Sequence, residues 1–187
     1  MKQNILPAIK FSILLLVVFA VIYPIIIWVA AQAAPNNGRG EVATVNGKVV
    51  GYTNEGQNFS DDKYFWSRPS AVSYNAAGSG GSNKGPNNAD YLQVVNDRLD
   101  TFLVHNPTVR KEQVPVELVT ASGSGIDPHV SPQGALVQVE RVAKARNISV
   151  NRLKQLVDEQ IEKPLLGMFG TSTINVLKLN IELDKLK

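Results

Sequence analysis

Between Phe11 and Ala34 the chain carries no charged side chain, and Leu14, Leu15, Leu16, Val17, Val18, Phe19, Ile25, Ile26 and Ile27 fall inside that run. Its length suffices to cross a ~30 Å hydrocarbon core, so a transmembrane helix over 11–34 is predicted. Tyr23 and Trp28 mark an aromatic belt on the far side, and Pro24 kinks the helix or marks where it nears the interface. Ala31-Gln32-Ala33 also fits a signal-peptide cleavage pattern. The apolar run exceeds the roughly 7–15 residues of a signal-peptide core, however, and this favours a retained anchor. Lys2 and Lys10 lie on the amino-terminal side, so residues 1–10 are expected in the cytoplasm and the remainder outside it.

Residues 35–40 form a polar connector of turn formers, and one globular domain is expected over 41–187. Apolar positions around Val42–Val45 and Lys48–Val50 flank Asn46-Gly47, a pair that tolerates positive φ and signals a β-hairpin. Tyr64-Phe65-Trp66 is a strand candidate that Pro69 ends, and Ser73 to Asn88 reads as a long loop rich in Gly, Ser and Asn. Asn87 or Asn88 caps a helix with Leu92, Val95, Leu99, Phe102 and Leu103 on one stripe, ending near Asn106-Pro107. Val114 to Thr120 reads as a strand. Ser131-Pro132 opens a helix with Ala135, Leu136, Val139, Val142 and Ala143 inward. Ser149 caps another, with Val150, Leu153, Leu156, Val157 and Ile161 inward and Pro164 closing it. Thr173 to Leu179 is a last strand candidate, with a short helical tail after Asn180. Strands and helices are interspersed without a βαβ period, so the fold class is α+β: one amino-terminal transmembrane helix, then a single mixed extracytoplasmic domain.

Composition narrows the function. A chain of 187 residues has room for one anchor and one domain. Setting aside Lys2 and Lys10 leaves 17 of the 19 basic residues against 16 acidic ones, which is no footprint for nucleic acid. The absence of cysteine excludes disulfides, thiolate zinc sites and a cysteine nucleophile. His105 and His129 are the only histidines and have no metal-ligand spacing, so no metal site is expected. His105 reads as a helix-end residue whose cation faces the terminal carbonyls. Arg141, Lys144, Arg146 and Arg152 read as a solvated face among Glu140, Asp158, Glu159 and Glu162.

Two Gly-Ser loops carry the unusual chemistry. The first, Ser79-Gly80-Gly81-Ser82-Asn83-Lys84, offers backbone N–H groups and a cation to an anion. Pro86 and Asn87 stand where a phosphate loop requires Lys and Ser/Thr, so a turn or partner-contact loop is the stronger reading. The second, Ser122-Gly123-Ser124-Gly125, lies between a predicted strand and a helix start, a geometry that binds anions. Ser124, Asp127 and His129 suggest a hydrolase only weakly. Ser122 and Ile126 occupy the places where a nucleophile elbow needs Gly, and Asp127 and His129 are too close in sequence for a triad. No catalytic residue is assigned.

Tyr64-Phe65-Trp66-Ser67-Arg68-Pro69-Ser70-Ala71, Tyr74-Asn75-Ala76, Ser79-Gly80-Gly81-Ser82-Asn83 with Gly85-Pro86, the continuous stretch from Val114 to Pro132, and Asn175-Val176-Leu177-Lys178-Leu179-Asn180 occur in this order behind a single span. In this the chain resembles the C-subunit family of the bacterial Kdp potassium-transporting ATPase, over nearly its whole length. The resemblance implies a non-catalytic subunit of a high-affinity, ATP-driven potassium importer in the cytoplasmic (inner) membrane. Its partners would be a channel-like potassium-binding subunit, a P-type ATPase subunit carrying the phosphorylated aspartate, and a small membrane peptide. That family's subunit is described as a catalytic chaperone raising the ATPase subunit's ATP affinity. The carry-over for nucleotide or partner contact falls on Ser122, Gly123, Ser124, Gly125, Asp127, His129 and Gln138. No tightly bound cofactor is implied, and ATP is reached only through the complex. A domain held outside by Lys2 and Lys10 does not meet cytoplasmic ATP, so assembly over the potassium entrance is the preferred role. The alternatives are a membrane-anchored nucleotide- or anion-binding module using Ser122–Gly125, and a membrane-anchored hydrolase.

Overall fold

The computed structural model describes residues 2–186. It divides into two compact units, the first ending at Glu41 and the second beginning at Val42. The first unit is one apolar helix in three pieces: α1, Lys2–Val17, a π-helical turn, Val18–Ile22, and α2, Tyr23–Ala31. Pro24 has no N–H for the carbonyl four residues earlier, and the wider turn before it absorbs that mismatch, with the Tyr23 N–H reaching back to the Val18 carbonyl. Within Asn4–Ala31 an 18-residue stretch has a mean hydropathy of 3.0 and no residue of the helix is buried, so it is long and apolar enough to cross a membrane.

The second unit opens with the expected hairpin. Strands β1, Val42–Val45, and β2, Lys48–Tyr52, pair antiparallel around Asn46 and Gly47, whose φ angles are 52° and 75°. Asn88 caps α3, Ala89–His105, by accepting from the Tyr91 N–H, and Asn106 ends it by donating to the Phe102 carbonyl. Strand β3, His129–Val130, leads to α4, Pro132–Leu136, capped by Ser131 with proline in its first turn. Then come α5, Val139–Arg146, and α6, Val150–Glu159, the latter capped by Ser149. Strand β4, Ile174–Asn175, pairs antiparallel with β3 and runs into α7, Val176–Lys185. Phe102, Val139, Val142, Leu153, Val157, Ile174, Leu179 and Leu183 join Phe65 in one core. The class is α+β, with helices supplying most of the core and strands short.

Three strand expectations are corrected. Val114 to Thr120 holds one 3-10 turn, Val116–Leu118, which follows another at Lys111–Gln113. Among the described residues no neighbouring strand offers Val116 or Leu118 a ladder, and the i+3 bonds from Leu118 N–H to Pro115 O and from Val119 N–H to Val116 O satisfy the backbone locally. In Thr173 to Leu179 only Ile174 and Asn175 are extended, because the Asn175 side chain accepts from the Lys178 N–H and starts a helix there.

Tyr64-Phe65-Trp66 is the third, and its correction explains how the domain is held together. The segment belongs to no strand, yet Phe65 is 0% exposed at the centre of the core. Buried backbone needs partners, and side chains supply them. Asn180 of α7 accepts from the Phe65 N–H and donates to its carbonyl, both at 2.9 Å. Gln138, just before α5, accepts from the Trp66 N–H at 2.7 Å and donates to the Trp66 carbonyl at 3.3 Å and the Gly134 carbonyl at 2.8 Å. Arg141 donates to the carbonyls of Asp62 and Tyr64 and to the Gln138 and Asn106 amide oxygens. Arg146 donates to the Lys63 carbonyl. Two helix faces thus replace the strands that would otherwise flank residues 62–66.

Arg141 therefore does not lie on a solvated face: it is buried, with its guanidinium 4.4 Å from the centre of the Trp66 ring and 3.7 Å from the Asp62 carboxylate. Burial pulls its pKa down to about 10, against the opposing pull of Asp62 and Asp61, so it remains a cation at neutral pH. His105 ends α3 as expected, but its Nδ1 lies 2.8 Å from the Asp62 carboxylate and its ring packs edge-on to Trp66.

Asn180→Leu keeps the volume but strands the Phe65 N–H and carbonyl in the core. At about 1–3 kcal/mol for each unpaired group, unfolding followed by Trp66 fluorescence should show a loss of roughly 2–5 kcal/mol. Lys144→Ala, at an exposed site on α5, should stay within about 0.5 kcal/mol of the parent.

Candidate functional site

The two Gly-Ser loops meet. The Ser124 carbonyl accepts from the Gly80 N–H at 2.8 Å and from the Ser79 hydroxyl at 2.9 Å. Within the second loop the Gly125 N–H donates to Ser122 Oγ at 2.9 Å and the Ile126 N–H to Ser124 Oγ at 3.2 Å, while the Ser122 N–H donates to the Pro69 carbonyl. Ser122 is buried, and Gly123 and Ser124 are exposed. Gly125 sits at φ 70° with a missing Cβ that would fall 2.6 Å from the Gly80 carbonyl, so glycine is what lets the loops close. Ser82, Asn83 and Lys84 extend from this brace half-buried to exposed and make no hydrogen bond among the described residues.

A hydrogen-bonded turn holds the brace to the core segment. Ser70 Oγ accepts from the Val72 and Tyr74 N–H groups, and the Tyr74 hydroxyl donates to the Arg68 carbonyl at 2.7 Å. Ser73 and Tyr74 both have positive φ there. The Gly56 N–H donates to the Ile126 carbonyl at 2.7 Å, tying in the chain that follows the hairpin.

Beside the brace runs a row of alternating charge. Arg68 Nη1 lies 2.8 Å from Asp127 Oδ2. The other carboxylate oxygen accepts from the His129 N–H at 3.0 Å and lies 3.5 Å from His129 Nδ1. His129 Nε2 is 3.6 Å from Glu162, which pairs with Lys178 at 3.2 Å. Arg68, Asp127 and His129, with Glu117, Ser131 and Thr173, border a cleft of about 290 Å³. Burial raises the Asp127 pKa, but the bonds from His129 and the charge of Arg68 outweigh it and hold the carboxyl below its ordinary range. The bond to Asp127 raises the His129 pKa above 6.5, against burial and with help from Glu162.

The candidate residues therefore fall into three settings. Ser122, Ser124 and Gly125, with Ser79 and Gly80, form the brace: the Ser124 carbonyl takes the Gly80 N–H and the Ser79 hydroxyl, and Ser122 Oγ takes the Gly125 N–H. The amides of Gly123 and Ser124 in the second loop and of Ser79 and Gly81 in the first make no hydrogen bond among the described residues. Asp127 and His129 belong to the charge row. Ser124 Oγ accepts from the Ile126 N–H and makes no bond to His129, so among the described residues Ser124 has no general base beside it. Gln138 is 0% exposed, and its oxygen and nitrogen are both engaged by Trp66, Arg141 and Gly134. Among the described residues no three acidic or histidine side chains converge to hold a metal ion. Sequence reasoning gave Asn180 and Asn106 no role in the core and placed Arg141 on a solvated face, yet all three are buried polar residues. The signal was there: Asn180 interrupts the stripe of Val176, Leu179 and Leu183.

The sign of the His129 effect follows from its raised pKa. Its stabilisation is complete below about 6.5, the unfolded value, and is lost as pH rises through the higher folded value. Melting temperature measured from about pH 5.5 to 8.5 should therefore fall with rising pH in the parent more than in His129→Gln. Equal slopes would remove His129 from the account.

Comparison with known proteins gives the family. The model of "KdpC: K+-transporting ATPase, c chain" matches residues 5–185. A potassium-transporting ATPase KdpC subunit from Flavobacterium psychrophilum is 56% identical, covering 99% of this chain and 100% of that protein. One from Bacteroides fragilis is 52% identical, covering 99% and 98%. One from Bacillus thuringiensis is 43% identical, covering 99% and 97%. With the family model matched over nearly its full length and relatives this similar end to end, the chain belongs to the KdpC family, the c chain of K+-transporting ATPases.

Proposed function

We propose that this chain is a membrane-anchored, non-catalytic subunit of a potassium-importing P-type ATPase, and that its domain works outside the cytoplasm in assembling the complex. The observation that carries the reading is the use to which the family-like residues are put. Gln138 is sealed in the core, and the Ser124 carbonyl, Ser122 Oγ and the Ser79 hydroxyl are engaged in bracing the two loops. A phosphate cradle needs several unpaired amides converging on one point; within Ser122–Gly125 the Ser122 and Gly125 amides are already bonded, which leaves those of Gly123 and Ser124. What the brace presents is a preformed, uncharged surface with Asn83 and Lys84 at its edge, suited to a protein neighbour. Lys2 and Lys10 lie at the amino-terminal end of the apolar helix and support placing residues 42–187 at the periplasm or cell exterior of an inner-membrane protein.

The partners on this reading are the channel-like potassium-binding subunit, the ATPase subunit that carries the phosphorylated aspartate, and the small membrane peptide. Any gain in the ATP affinity of the ATPase subunit then comes through the assembled complex, without nucleotide on this chain. Direct contact between ATP and Ser122–Gly125 is the rival reading, favoured only by the two free amides.

Sidedness separates them. Val104 on α3 is 77% exposed and outside both loops, and the chain has no native cysteine, so Val104→Cys reports topology without disturbing the brace. With the partner subunits co-expressed and access through any outer membrane controlled, a membrane-impermeant maleimide should label it in intact cells. Labelling only after the inner membrane is opened would place the domain in the cytoplasm and favour the nucleotide reading.

A further inference from the structure

Between α6 and β4 the chain projects an arm. Glu162 and Thr173 exchange backbone hydrogen bonds at its base, and Leu165 and Phe169 exchange them near its tip. Leu165, Leu166, Met168 and Phe169 there are 71%, 79%, 75% and 61% exposed, so four large apolar side chains in five residues pack against almost nothing. No charged residue occurs from Pro164 to Leu177. The tip's backbone is largely self-satisfied: the N–H groups of Leu165, Gly167, Met168 and Phe169 all donate within it. Such a tip leaves water at small polar cost and with a large apolar gain.

A second turn in the same chain serves as a control. Asn46 and Gly47 have φ of 52° and 75°, and Leu166 and Gly167 have 53° and 74°. At the hairpin the first position holds asparagine, which takes positive φ readily; at the arm it holds leucine, which does not. The strain at Leu166 has no return inside the domain, because its side chain touches so little there. Its return lies in a contact outside.

We infer that the arm's tip inserts into an uncharged apolar socket on another subunit of the same K+-transporting ATPase; this rests on the assembly reading above. A bilayer asks only for apolar area and does not need a leucine fixed at positive φ. The base of the arm holds Lys163 and a Lys178 already paired with Glu162, too few bases to make a cluster for anionic headgroups. A rigid tip carrying its side chains in one arrangement is suited to a complementary protein pocket, where preorganisation lowers the cost of binding.

The full chain, co-expressed with the other subunits and purified as the complex, tests this with the photo-crosslinking residue p-benzoylphenylalanine in place of Met168. The expected adduct joins the arm to another ATPase subunit. An adduct with a second copy of this chain, with lipid only, or none at all would overturn the inference. Leu166→Asn provides an independent arm, since it relaxes the turn while removing the apolar group. The variant should melt no lower than the parent, yet recover the other subunits about tenfold less well; undiminished recovery would overturn the socket. If the parent itself recovers no other subunit, the assembly reading has failed, and the inference with it.

Discussion

Phe65 must be buried for the domain to have this core, and the extended backbone on either side of it must find hydrogen-bond partners. Everything else in the domain is arranged around that requirement. Asn180, Gln138, Arg141 and Arg146 meet it from two helices, which fixes how α5 and α7 stand to the extended segment between them. Phe65 then fills the space they enclose. Arg141 adds a second constraint, since its cation is tolerated only while five acceptors or near neighbours surround it: Asp62, Tyr64, Asn106, Gln138 and the Trp66 ring. Removing one helix-borne amide would loosen the core and the polar network together.

The same segment carries the functional surface. Arg68 follows directly after Trp66 and Ser67, and it pairs with Asp127; Pro69 accepts from Ser122, and Ser70 organises the turn that carries Tyr74. The braced loops and the charge row are thus anchored to the core by a few residues of extended chain. Glu162, at the base of the apolar arm, closes the row through His129 and Lys178. Arg68, Asp127, His129 and Glu162 thus link the braced loops to the base of the arm.

How far the sequence revealed this depends on whether the local signal was also the deciding one. The hairpin at Asn46-Gly47 and the caps at Asn88, Ser131 and Ser149 were legible because short-range chemistry decides them. Tyr64-Phe65-Trp66 has a strand's composition and is extended, but its partners lie 72 to 115 residues away and are side chains, which no local pattern reveals. Val116 and Leu118 favour strand by propensity, yet without a neighbouring strand local i+3 bonds win. Gln138 was visible as a polar residue in a family-like region, but its burial depends on Trp66 and Arg141 meeting it there. The joining of the two Gly-Ser loops at the Ser124 carbonyl was equally out of reach, being a contact across 45 residues.

Amide hydrogen exchange on the full-length protein, resolved at single residues, tests the claim that side chains stand in for a sheet. The Phe65 and Trp66 amides, bonded to Asn180 and Gln138, should exchange with the slowest amides of the helical core although they belong to no helix or strand. Exchange there as fast as at the unbonded amides of Gly123 and Ser124 would contradict the account.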